Sequence, residues 1–121
     1  HQVYSGMLIF LSMPLYAAIG FDHPPHSMEL REKFRAEHRA YSQGEDAMTR
    51  IAGAFYDSEG NQCGTLKIFE ADSAEQVWDW YRKDPFFLNG VYKEFRVIEW
   101  RLAINRLEPT EWVKNYPGRA T

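Results

Sequence analysis

The chain has 121 residues, 45% of them apolar and 16% aromatic, which is enough to bury one core and too apolar for a disordered segment. Its net charge is −3, with 14 basic and 17 acidic side chains spread along its length, so it lacks the clustered basic face that nucleic acid or an anionic membrane surface would require. Its single cysteine, Cys63, permits no internal disulfide, and a thiol in a polar turn with no histidine nearby in sequence reads as incidental.

Residues 7–21 are apolar apart from Ser12, Pro14 and Gly20, a run too short and broken for a membrane-crossing helix. Residues 1–6 carry no Lys or Arg, unlike the basic start of a secretory leader, and read as a tag remnant, a processed end or part of a longer precursor. The expected location is the cytoplasm, or an organelle to which a segment preceding His1 would direct the chain. Leu15 to Phe21 reads as a buried strand. The paired prolines of Asp22-His23-Pro24-Pro25-His26 then impose a rigid loop. Ser27 is the expected N-cap of a helix running to about Gln43, with Gly44 as its stop. Leu30, Phe34, His38 and Tyr41 share one face of that helix, with His38 at the edge of the apolar stripe. Arg31 and Arg35 precede His38 by seven and three residues and flank it on the same side. Glu29, Glu32, Lys33 and Arg39 are expected to point mostly to water.

Met48 to Tyr56 reads as a strand, and Gly53 inside it predicts a bulge or a close backbone approach. Residues 57–61 form a turn, and Thr65 to Ala71 returns as the second arm of a hairpin. Asp72 is the expected cap of a second helix, with Glu75 as its capping-box partner, and Ala74, Val77, Trp78 and Tyr81 form the apolar face. Asp84-Pro85 ends it, because a residue before proline is driven out of helical geometry. Phe86 to Leu88 adds one turn, Tyr92 to Ile104 reads as a long last strand, and residues 105–121 form a tail whose Trp112 and Tyr116 predict docking on a partner subunit or over a cavity.

This order predicts a single α+β domain with a core of about residues 13–104: a ferredoxin-like βαββαβ plait with an antiparallel sheet and helices on one face. Such a sheet leaves its second face bare, and the aromatic strand residues predict a second copy packed there as a homodimer, giving a dimeric α+β barrel. A histidine and an aspartate brought together by folding can move protons, the carboxylate fixing the imidazole tautomer. Asp84 also has a purely structural use, since aspartate before proline commonly bonds nearby backbone N–H groups. Arg31 and Arg35 suit carboxylate and phenolate oxygens. Asp22, His23 and His26 offer metal-ligating atoms without a supporting helical spacing, so no metal is expected. The absence of a glycine-rich phosphate loop, a nucleotide fingerprint and a nucleophile elbow makes a site without a cofactor the default.

Three stretches, FDHPPHSMELREKFRAEHRAY, GNQCGTLKIFEADSAEQVWDW and KDPFFLNGVYKEFRVIEWR, resemble the YciI-like, or YCII-related, family, over about Leu15 to Leu102. The resemblance implies ferredoxin-like dimers with a small cavity in each subunit. It also implies a histidine–aspartate active site, which by motif falls on His38 and Asp84. One line of relatives removes chloride from chlorinated hydroxyquinols. The family often has Gly-Pro after the first helix, where this chain has Gly53-Ala54, and Gly53 joins Arg31 and Arg35 as an expected substrate contact. The expectation is a cofactor-independent enzyme of lyase, dehalogenase or isomerase type acting on an anionic or phenolic ring compound. The alternative is a non-catalytic dimeric small-molecule-binding module.

Overall fold

The structure is a computed structural model that describes residues 13–44 and 48–107. Its elements are β1 (Leu15–Asp22), α1 (Met28–Gly44), β2 (Thr49–Tyr56), β3 (Gln62–Glu70), α2 (Ala74–Tyr81), α3 (Pro85–Leu88) and β4 (Tyr92–Trp100). The strands form one sheet in the order β2-β3-β1-β4, and each neighbouring pair is antiparallel. This is the ferredoxin-like plait. Strand alternation divides the sheet into two faces. Ala18 and Phe69 point to the helices and join Ala71, Val77, Trp80 and Tyr81 in the buried core. Leu15, Ala17, Ile19, Leu66 and Ile68 point the other way, where they line a groove with Trp100.

Several boundaries follow chemistry that sequence spacing did not resolve. Ser73, not Asp72, caps α2 and accepts from the Gln76 N–H at 3.2 Å. The reciprocal bond comes from Gln76, whose side chain accepts the Asp72 N–H at 2.7 Å, so Glu75 is not the capping partner. Ser27 precedes α1, but its hydroxyl donates to the Val91 carbonyl at 2.7 Å and accepts the His23 N–H at 3.2 Å. It thus ties the start of α1 to the start of β4. The last strand ends at Trp100; Leu102 and Ile104 leave the ladder and line the outer groove. Gly90 takes a φ of 79°, which lets the chain turn from α3 into β4. The N-terminal residues 1–12 and the tail anchors Trp112 and Tyr116 lie outside the described residues.

Candidate functional site

His38 sits on the inward stripe of α1, and Asp84 lies at the break between α2 and α3. The break follows from Pro85: Asp84 adopts an extended backbone (φ −76°, ψ 125°), and Pro85 opens the next helix. As the N-cap of α3, Asp84 accepts the Phe86 N–H on Oδ1 at 3.3 Å. The same oxygen lies 2.6 Å from His38 Nδ1. Asp84 is 0% exposed. Its Oδ2 is buried too and has no hydrogen-bond partner among the described residues. The Phe86 ring stacks on the imidazole at 4.0 Å with the planes 8° apart, which fixes the ring's orientation. His38 Nε2 faces the Ser42 hydroxyl, one helical turn further on, at 3.4 Å.

Beside this pair lies a second polar cluster. Arg31 is 2% exposed and is gripped at two points by Asp22: Nε to Oδ2 at 2.8 Å and a terminal nitrogen to Oδ1 at 2.9 Å. Asp22 also accepts the Ser27 N–H at 3.3 Å. Burial works against the guanidinium charge, and Asp22 and Tyr92 together more than offset it, so the Arg31 pKa is raised. The guanidinium lies over the Phe86 ring at 5.2 Å and the Tyr92 ring at 5.6 Å. Burial pushes the Tyr92 phenol well above its ordinary range, with Arg31 pulling it partly back.

A cavity of about 230 Å³ opens between α1 and the sheet. His38, Arg39 and Ser42 form its α1 side, while Gln62, Thr65 and Lys67 of β3 form its sheet side. Phe86 and Tyr92 also line it. The charge of its wall is one-sided. Arg31, Arg39 and Lys67 contribute to it, and among the described residues no Asp or Glu does.

The expected site residues thus fall in different places. His38 and Asp84 meet, and Arg31 and Gly53 line the cavity beside His38. Arg35 is not part of that lining, and its Nε is buried with no hydrogen-bond partner among the described residues. The expected bulge at Gly53 is displaced, since the β2–β3 register shifts between Thr49 and Ile51 and between Phe55 and Tyr56. A Cβ at Gly53 would meet nothing within 4 Å. In the loop after β1, Asp22 is committed to Arg31, and His26 Nδ1 accepts the Met28 N–H at 3.3 Å. Cys63 is half-buried, and its thiol pKa is raised by burial and by Asp57. Arg39, expected to point to water, reaches the cavity, as do Gln62, Lys67 and Tyr92. The signal for Lys67 was its strand parity with Phe69, which places both on the helix-facing side.

Comparison with known proteins agrees with this fold. The YCII-related domain matches residues 15–101. No curated protein matches the chain. Among solved structures, it is similar to 5-chloro-2-hydroxyhydroquinone dehydrochlorinase (TftG) from Burkholderia phenoliruptrix AC1100, in complex with 2,5-dihydroxybenzoquinone. The sequences are 24% identical, the match covers 74% of this chain and 95% of that one, and the TM-score is 0.67. At this identity the likeness speaks for the fold. The family match runs from the first residue of β1 to just past the end of β4. The chain therefore belongs to the YCII-related domain family.

Proposed function

We propose that the chain is a small-molecule enzyme of lyase, dehalogenase or isomerase type that moves protons on an anionic or phenolic ring compound. The observation that carries this reading is the 2.6 Å His38–Asp84 contact beside a cavity walled by cations and free of carboxylates among the described residues. A carboxylate only accepts hydrogen bonds, so Asp84 assigns the Nδ1 proton to the imidazole. Nε2 is then the nitrogen left to take a proton from the substrate. Once it has done so, Asp84 stabilises the imidazolium, which can return the proton elsewhere on the ring. Such acid–base assistance contributes ~10²–10⁴-fold in rate. Arg31 lines the same cavity, and its two bonds to Asp22, with Tyr92 beside it, fix the guanidinium where its charge would attract a substrate oxygen.

Applied to a chlorinated hydroxyhydroquinone, this chemistry needs no outside oxidant. A ring hydroxyl loses its proton, and a proton is delivered to the chlorine-bearing carbon. Chloride then leaves with the C–Cl electron pair as a second hydroxyl loses its proton. The net loss is HCl; the ring becomes a quinone while C–Cl becomes C–H.

The test is chloride release from 5-chloro-2-hydroxyhydroquinone, the compound named for the structural neighbour. Release above the buffer rate that falls by about 10²-fold or more in His38→Gln supports the proposal. Undiminished release in that variant would remove the dyad from the mechanism. Binding of 2,5-dihydroxybenzoquinone without turnover would favour the non-catalytic binding module.

A further inference from the structure

A buried tyrosine usually finds a hydrogen-bond partner for its hydroxyl, because an unpaired polar group out of water costs stability. Tyr41 does so by donating to the Trp80 carbonyl at 2.7 Å, and the Tyr92 phenol interacts with the Arg31 guanidinium. Tyr81, the last residue of α2, departs from this pattern. It is 2% exposed, and its ring packs against Trp80 at 4.7 Å, Phe95 at 4.4 Å and Phe69 at 5.6 Å between centroids. Its hydroxyl has no hydrogen-bond partner among the described residues. Asp84, three residues on, does not take it: Oδ1 serves His38 and the Phe86 N–H, and Oδ2 is itself without a partner.

Tyr81 also lines the cavity that His38 lines. Its one polar atom is therefore unspent in a wall that a ligand would touch. Burial raises the phenol pKa well above its ordinary value, and Tyr92 and Asp84 add to the rise. The hydroxyl thus keeps its proton through the neutral range and remains a donor.

We infer that Tyr81 is a further catalytic residue of the cavity: its hydroxyl donates a hydrogen bond to a ring oxygen of the substrate as that oxygen gains negative charge. This inference rests on the functional reading above and deepens it. While the proton of a ring hydroxyl sits on His38 Nε2, the oxygen it left carries the charge. A donor already fixed by packing stabilises that charge without having to be ordered first. Tyr81 keeps its own proton throughout, so the balance of the reaction is unchanged.

Tyr81→Phe removes the hydroxyl and leaves the ring. Chloride release from 5-chloro-2-hydroxyhydroquinone is measured for the full chain, Tyr81→Phe, His38→Gln and the exposed control Tyr56→Phe, with kcat and KM separated and thermal melts alongside. Tyr81→Phe should lower kcat by about 10²-fold with KM little changed. It should melt at or above the parent temperature, because the hydroxyl it loses has no partner in the fold. Tyr56→Phe should match the parent in both. Release by Tyr81→Phe within about twofold of the parent, with His38→Gln impaired, overturns the inference and leaves the His38–Asp84 reading standing. A change in KM alone reduces Tyr81 to a ground-state contact and overturns its catalytic role. A Tyr81→Phe chain that fails to fold, or melts well below the parent, shows that the hydroxyl is bonded within the fold and overturns the inference too. A full chain that releases no chloride defeats the functional reading itself, and this inference with it.

Discussion

Oδ1 of Asp84 meets His38 Nδ1 at 2.6 Å and the Phe86 N–H at 3.3 Å, so one buried carboxylate both starts α3 and orients an imidazole on α1. The two duties can be separated. Asp84→Asn keeps an oxygen for the Phe86 N–H, but it tends to present an amide N–H to His38, which favours the tautomer protonated on Nε2. The expected outcome is a chain that still folds, with its turnover of 5-chloro-2-hydroxyhydroquinone reduced by about 10²–10⁴-fold. Asp84→Ala removes the cap as well and should cost a further ~1 kcal/mol of stability. Chloride-release kinetics and urea melts on both variants check the two halves. Full turnover in Asp84→Asn would leave the carboxylate as a cap alone.

The plait was legible from the element order, and local rules placed His38 and Asp84 each on its own element, but their pairing was implied by the family resemblance. Apolar spacing places His38 inward on α1, and Pro85 forces the chain to break at Asp84. Gln62 and Tyr92 were not legible as cavity residues, and for Lys67 strand parity gave the face but not the place along it. Their positions depend on strand register, which sequence periodicity does not fix. Arg39 illustrates a second limit. A helical wheel separates apolar from polar faces, but it does not show that a cavity reaches round to the polar edge. The capping of α2 was misassigned by one position because Asp72, Ser73, Glu75 and Gln76 satisfy the same pattern in two registers.

The Asp22–Arg31 pair carries a prediction about stability. Both side chains are almost fully buried, at 0% and 3% exposure, so removing the carboxylate strands a guanidinium among Phe86 and Tyr92. Asp22→Ala should destabilise the chain by about 3–5 kcal/mol. Replacing both residues with apolar ones of similar size should recover part of that loss. Urea melts of the single and double variants make the comparison. A single variant within about 0.5 kcal/mol of the parent would show that the pair is a solvated surface contact.

The outer face of the sheet makes the oligomer testable. Phe21, Ile51, Ile98 and Trp100 are exposed apolar residues, and the groove between Leu15, Leu66 and Trp100 measures about 660 Å³. A second copy packed sheet to sheet would cover this face. Light scattering at micromolar concentration should report a dimer, and Ile51→Glu should shift it to monomer by placing an unpaired charge in the interface. A monomer in the parent chain would contradict the dimeric barrel.

Tyr92 gives the fold a dependence on alkaline pH. Burial raises its phenol pKa well above the ordinary value, with Arg31 only partly opposing, and burial raises that of Tyr81 too. The folded chain therefore keeps these protons to higher pH than the unfolded chain, whose phenols ionise near about 10. Below that value both states are protonated, and the contribution to stability is fully present. Above it the unfolded state sheds protons first, so stability falls as pH rises towards the folded pKa. Urea midpoints measured from pH 8 to 11 should drop more steeply for the parent chain than for Tyr92→Phe, which retains only the Tyr81 contribution. Equal slopes would mean that Arg31 lets the Tyr92 phenolate form within the fold without penalty.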